Sequence, residues 1–313
     1  MQPAFSVIFL TTLAGAAQGL FLALYGTEIG GLGALTQPES QQFLSTASAV
    51  ALGLTGLGLL ASFFHLGHPE RAWRSATMWR TSWLAREVIA LPLFMLGLFL
   101  YAGAHWFGLG NTKLIGAVTV LLCLALFVAT AMIYASVRFL QEWASPLTLV
   151  NYLLLGCASG LTLATLLAAS FGMMALVTPY ALAAAVLTLL AWVTRSASLV
   201  RNARLRPKST LQSAIGIKHP RIVQKAQGFM GGSFNTREFF HGRSAQLLRS
   251  VKWAFLLLVF PLPLLSLALG VNSASTALLV LAFVLQYLGL LAERWFFFAQ
   301  ANHPQNLYYQ TIS

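Results

Sequence analysis

Eight apolar runs, at roughly 5–27, 44–65, 83–105, 113–138, 147–170, 173–195, 251–271 and 275–299, leave this chain few ways to fold. Each is close to the ~20 residues an α-helix needs to cross a bilayer, where every backbone N–H and C=O has to be bonded within the segment. The composition, 58% hydrophobic and 8% charged, with a mean hydropathy of +0.75, lies outside the soluble range. The expectation is an all-α fold: a polytopic integral membrane bundle of about eight transmembrane helices, one membrane domain over 1–313. The first run, within MQPAFSVIFL, has no basic leader and no twin arginine and is too long for a cleaved signal, so it reads as a retained helix.

The scarce charges set the orientation. Glu28 and Glu39 stand between the first two runs without any Lys or Arg, and Lys113 is the only basic residue in the linkers after runs three, five and seven. Every other Lys and Arg lies in the linkers after runs two, four and six, at the helix ends facing them, or near the C-terminus. The positive-inside rule then places those linkers and both termini in the cytoplasm, with the chain multi-pass in a bacterial-type inner membrane. A net charge of +12 therefore reports topology and lipid contact, and nucleic acid is set aside. Small residues at 14–19 and 53–62 predict a close approach of helices one and two. Pro92, Pro179, Pro261 and Pro263 predict kinks.

Metal and heme chemistry find little support. Cys123 and Cys157 lie singly in apolar runs, so no iron–sulfur cluster is expected in this chain and both read as packing residues. Axial heme ligation needs histidines facing each other across the bundle, whereas His65 and His105 fall at opposite membrane faces, so no heme is expected. His68-Pro69, His219-Pro220 and His303-Pro304 match no zinc spacing and read as turns before proline, so no metal site is expected.

The stretch from His65 to Glu87 is the exception to the apolar rule. It packs two histidines, four arginines and two glutamates between runs two and three. Ionisable groups held at membrane depth cost about 2.5–3.5 kcal/mol on insertion scales and so mark function by default. Chain order puts His65 and Glu87 at one depth, while run eight brings Glu293 and Arg294 back to the same side and Arg86, Arg138 and Arg195 close neighbouring helix ends. An imidazole and a carboxyl beside an apolar wall suit a quinone site, which needs donors at its carbonyls and groups that carry protons. His65 and Glu87 are the first candidates for quinone contact and proton delivery; Arg71, Arg86, Glu293 and Arg294 stand behind them. A chain without clusters, heme or flavin motif stores no single electrons and must receive them from a docked subunit. The basic, phenylalanine-bearing loop at 196–250 is the expected docking segment, with anionic lipid headgroups as its rival partner.

The residues that follow one another here are familiar. His65-Leu66-Gly67-His68-Pro69-Glu70-Arg71-Ala72, with Arg86-Glu87-Val88-Ile89-Ala90, resembles the HLGxPxRA…(N/R)E(I/V)xA signature of the dimethyl sulfoxide reductase membrane anchor family. The resemblance spans most of the chain. It implies a quinone-linked subunit without heme, in which His65 and Glu87 serve the quinone site and Gly67 and Pro69 belong to the binding motif. It also implies two partners, an iron–sulfur subunit with four clusters and a molybdopterin catalytic subunit. Within the family, KHPRIVQKAQGFMGGSFNTREFFHG and AERWFFFAQANHPQNLYYQ look like the anchors of cytoplasmic sulfite dehydrogenases, which pass electrons to ubiquinone or menaquinone. Because the outer halves of the helices show no ionisable relay, turnover is expected to build no membrane potential. The alternatives are an anchor of a dimethyl sulfoxide reductase-like complex oxidising quinol, and a secondary transporter, whose polar sites belong near the midplane; there this chain offers Gln18, Tyr134 and Gln286.

Overall fold

In a computed structural model of the chain, residues 1–30, 38–64, 67–223, 225 and 239–309 are described. Among them, the spans are helices α1 (Phe5–Gly30), α2 (Pro38–Phe63), α3 (Trp83–Trp106), α4 (Thr112–Ala135), α5 (Pro146–Ser170) and α6 (Met174–Ala203), then α8 (Ala245–Val259) with α9 (Pro261–Asn272), and α10 (Thr276–Ala299). Among the described residues, eight helical segments are long and apolar enough to cross a membrane, α8 and α9 together making the seventh. No strand occurs among the described residues. Short helices α7 (Leu211–Ile215) and α11 (Asn306–Tyr309) and a 3-10 helix at Pro69–Met78 fill part of the linkers.

Each boundary has a local cause. Ser82 accepts a hydrogen bond from the Ala85 N–H and Ser145 one from the Leu147 N–H, capping α3 and α5. Pro261 withholds a backbone donor and constrains its predecessor, and the seventh span breaks there at Phe260, with φ −111° and ψ −81°. Pro92 and Pro179, by contrast, sit inside continuous α3 and α6. The sixth apolar run ends at Arg195, but α6 continues to Ala203. The extra turns are held by Arg201, which donates to the Gln141 and Ala144 carbonyls at 3.0 and 3.3 Å, and by Asn202, which donates to the Glu142 carbonyl.

Helix α1 is the axis, packing against α2, α4, α5 and α10. The small-residue pattern foresees its approach to α2, where a Cβ on Gly58 would stand 3.3 Å from the Leu10 carbonyl oxygen, but the tightest contact is with α5. Gly15 and Gly19 face Gly156 and Gly160, and a Cβ on Gly160 would lie 2.1 Å from the Leu20 nitrogen. Two reciprocal GxxxG faces thus bring backbone onto backbone, which in lipid supplies the van der Waals contact that a hydrophobic force cannot.

Two features divide the bundle along its length. Near the arginine-bearing helix ends, Tyr134, Trp143, Tyr152, Phe297 and Phe298 form a buried aromatic cluster, with the Trp143 indole N–H donating to the Phe297 carbonyl at 2.9 Å. Further along, Phe21, Phe94 and Leu98 are fully buried in an apolar layer.

The described residues of the segment at 196–250 make local contacts and contacts with the C-terminal residues. Thr210 and Ser213 form a capping box at α7, and Gly216 ends it at φ 73°. Phe239 stacks on His303 with ring centroids 3.8 Å apart, and Asn306 donates to the Phe239 carbonyl. Burial, with the N-terminal ammonium adding, holds the His303 imidazole below its usual range, so it is neutral at neutral pH. Phe229 and Phe234, part of the expected docking segment, lie outside the described residues.

Candidate functional site

Glu87 is placed four residues into α3, on the face turned toward α1, α4, α5 and α10. Its carboxylate is buried and accepts a 2.5 Å hydrogen bond from the Thr130 hydroxyl on α4. It borders a cavity of about 20 Å³ shared with Gln18, Thr130, Tyr152 and Arg294 and walled by Leu91, Leu126 and Phe127. Such a volume holds about one water molecule.

Glu293 and Arg294 meet Arg195 at the next level toward the arginine-bearing end. The Arg195 Nε lies 2.7 Å from Glu293 Oε1, and the Arg294 Nε lies 3.5 Å from Glu293 Oε2, all three side chains being buried. The Arg294 guanidinium stands 3.7 Å over the Tyr152 ring and Arg195 5.5 Å from Phe255. Two guanidinium groups against one carboxylate leave an excess positive charge. Glu87, on the same cavity as Arg294, balances it when ionised. Removing one member of a buried set strands the others, so Arg195→Met should cost about 3–5 kcal/mol. The check is thermal unfolding of the detergent-solubilised protein, with the double change Arg195→Met, Glu293→Gln expected to recover part of the loss.

The other expected site residues are placed elsewhere. Gly67 is exposed with open space around it, and Arg71 is exposed on the 3-10 helix, 3.7 Å from Glu70. Pro69 starts that helix. Arg86 turns away from Glu87: its guanidinium donates to the Trp79 and Arg80 carbonyls at 2.9 and 2.8 Å and stacks 4.1 Å from Trp83. His65 lies outside the described residues. The structure therefore groups Glu87, Glu293 and Arg294 and leaves Gly67, Arg71 and Arg86 at the surface.

Tyr152, Thr130 and Gln18 join the group although no charge flagged them as site residues. Gln18 offered a signal as a polar side chain near the midplane, and Tyr152 one as the neighbour of Asn151. At the opposite end, where no ionisable relay is expected, there is one ionisable pair among the described residues. Glu28 is buried 3.7 Å from His105 and accepts hydrogen bonds from Tyr101 and Thr112 at 2.7 and 2.5 Å. The cause is one extra turn: α1 runs to Gly30 and carries Glu28 into the bundle, where sequence reading left it in a linker.

A quinone ring does not fit the Glu87 cavity, which is sized for water. Among the described residues, a pocket of about 500 Å³ between the start of α1, α8 and α10 is of ring-and-tail size, with Phe5, Phe9, Leu291 and Trp295 as walls and His241 and Arg243 as polar groups. No group of three or more metal-ligating side chains occurs among the described residues.

Comparison with known proteins agrees with this architecture. The C subunit of sulfite dehydrogenase from Allochromatium vinosum is 53% identical over 326 aligned positions that cover all of both proteins. The C polypeptide of anaerobic dimethyl sulfoxide reductase from Haemophilus influenzae is 28% identical over 166, spanning 50% of this protein and 56% of that one. The profile of the DMSO reductase anchor subunit (DmsC) family matches residues 1–309, and with a relative similar from end to end, the chain belongs to that family.

Proposed function

We propose that the chain anchors a molybdenum and iron–sulfur sulfite dehydrogenase to the cytoplasmic face of the inner membrane and passes its electrons to membrane quinone. The observation that carries this reading is the end-to-end 53% identity to the C subunit of a sulfite dehydrogenase. The partners are a four-cluster iron–sulfur subunit and a molybdopterin catalytic subunit, docked on the face that holds the 3-10 helix and the 196–250 segment.

Quinone, when bound, accepts two electrons and two protons. Glu87 supplies protons, its carboxyl held in one orientation by Thr130 and kept from bulk solvent by its burial. Because the cavity beside Glu87 admits only water, a ring meets this carboxyl from outside that cavity, and His65, the imidazole of the sequence motif, is the second proton carrier. A second reading rests on the 500 Å³ pocket: the ring sits there against Trp295, with His241 or Arg243 as donor. Crosslinking with a photoreactive quinone separates the two, by label on peptides around 65–90 or on those holding Phe5 and Trp295.

The test of the function is purification of the tagged protein in mild detergent, followed by assay with sulfite and either quinone or a soluble dye. Iron and molybdenum should accompany it, and His65→Asn should abolish quinone reduction while dye reduction survives. A protein that comes away without either metal sinks the anchor reading in favour of transport, and dimethyl sulfoxide-dependent quinol oxidation in place of sulfite oxidation sinks the choice of substrate.

A further inference from the structure

A buried carboxyl that gives up a proton in each turnover has to be refilled from water. We propose that protons reach Glu87 from the surface residue Glu142 through two water-sized cavities that meet at Tyr152 and Arg294. This deepens the function proposed above and rests on it.

The path is read from the polar groups between the two carboxylates. On the far side of Tyr152 and Arg294 from Glu87 lies a second cavity, of about 10 Å³, bordered also by Asn151, Arg195, Glu293 and Glu142. Glu142 is half-buried in the linker between α4 and α5, at the arginine-bearing end, and so opens this cavity to the surface. The boundary carries buried polar atoms that make no hydrogen bond: the Tyr152 hydroxyl and Arg195 Nη2, with Arg294 Nε and Glu293 Oε2, which meet each other only as a 3.5 Å ion pair. Unmet donors and acceptors of this kind are the usual reason for internal water, and each cavity has room for about one molecule.

The chemistry of the lining assigns the roles. A phenol hydroxyl both donates and accepts, so Tyr152 can hand a proton from one water to the next by rotation, whereas a guanidinium only donates and does not release its proton. Arg195 and Arg294 therefore position, and Glu142, Tyr152 and Glu87 carry. The charge count supports passage: the two arginines are matched by Glu293 and Glu87, so a proton moves through a region of no net charge rather than against a fixed positive one. In the other direction the Glu87 cavity ends on Leu91, Leu126 and Phe127, and Gln18 beside them is tied by its side-chain amide to the Cys123 carbonyl at 2.8 Å.

The balance is simple. Sulfite, through the partner subunits, supplies two electrons to each quinone. Two protons form the two new O–H bonds, one leaving Glu87 and one leaving the second carrier, His65, and a proton from water that enters at Glu142 restores Glu87.

The experiment uses the purified complex with sulfite and a short-tailed quinone, in water and in deuterium oxide, beside the dye assay. Glu142→Gln and Tyr152→Phe should each slow quinone reduction by roughly tenfold or more and raise the solvent isotope effect, with dye reduction at the parental rate. A small weak acid such as formate should restore Glu142→Gln. Parental quinone rates and isotope effects in both variants overturn the path, as does a loss of rate that leaves the isotope effect unmoved and is not restored by formate, since that is what a merely structural role gives. If Tyr152→Phe fails to assemble, Glu142→Gln decides alone. A parental complex that reduces dye but not quinone points instead to failure of the underlying function.

Discussion

Replacing Glu87 by glutamine is expected to lower sulfite-to-quinone turnover by about 10²-fold or more while sulfite-to-dye turnover is retained. Glutamine has the shape of the carboxyl and an oxygen that still accepts the Thr130 hydroxyl, so the contact between α3 and α4 survives. What is lost is the ability to take and give a proton. A variant that loses dye activity as well has failed to assemble. A variant that reduces quinone at the parental rate shows that this carboxyl carries no proton in the reaction. Thr130→Val is the companion measurement, because it removes the bond that orients Glu87 and leaves the carboxyl in place; a partial loss is expected.

The second large effect concerns the scaffold. Gly160→Val should prevent the protein from accumulating in the membrane. Any Cβ at this position falls 2.1 Å from the Leu20 nitrogen and 2.2 Å from the Gly19 carbonyl carbon, both backbone atoms that no rotamer change can move aside. Overpacking in a fitted core already costs about 1–3 kcal/mol when side chains can adjust, and here whole helices must separate. The contrast is Gly26→Ala on α1, where a Cβ would meet nothing within 4 Å and a change within about 0.5 kcal/mol is expected. Immunodetection in membrane fractions would read both. Accumulation of Gly160→Val at parental levels would contradict the close approach of α1 and α5.

The division between what the residues announce and what they conceal follows from the solvent. The spans are legible because lipid demands long apolar runs, and their ends shift only where polar residues go on bonding, as Arg201 and Asn202 do at the end of α6. Glu87, Glu293 and Arg294 are legible for the same reason, since an ionisable group in an apolar run is expensive and rare. Rotation about the helix axis is another matter. In water an amphipathic stripe marks the buried face, but here the lipid-facing and packed faces are both apolar, and nothing in the run from 112 to 135 says that Thr130 meets Glu87. Hydroxyls hide further because they can bond within their own helix, as Thr119 does to the Ile115 carbonyl. The Glu28 and His105 pair escapes notice because one helical turn separates a linker residue from a buried one. Arg71 and Arg86 share the charged stretch with Glu87 but are placed differently: long cationic side chains at a helix end reach outward, and Arg86 finds carbonyls and an indole ring there.

The layer of Phe21, Phe94 and Leu98 works as an electrical insulator between two polar ends of the same bundle. Glu87 and His105 stand on one helix, some 27 Å of rise apart, with the side chains of Phe21, Phe94 and Leu98 packed between those depths. On the proposed reading this subunit is a terminal that loads reducing equivalents into lipid without doing osmotic work. Whatever energy a cell draws from the oxidation must then be harvested by the enzymes that empty the quinol pool.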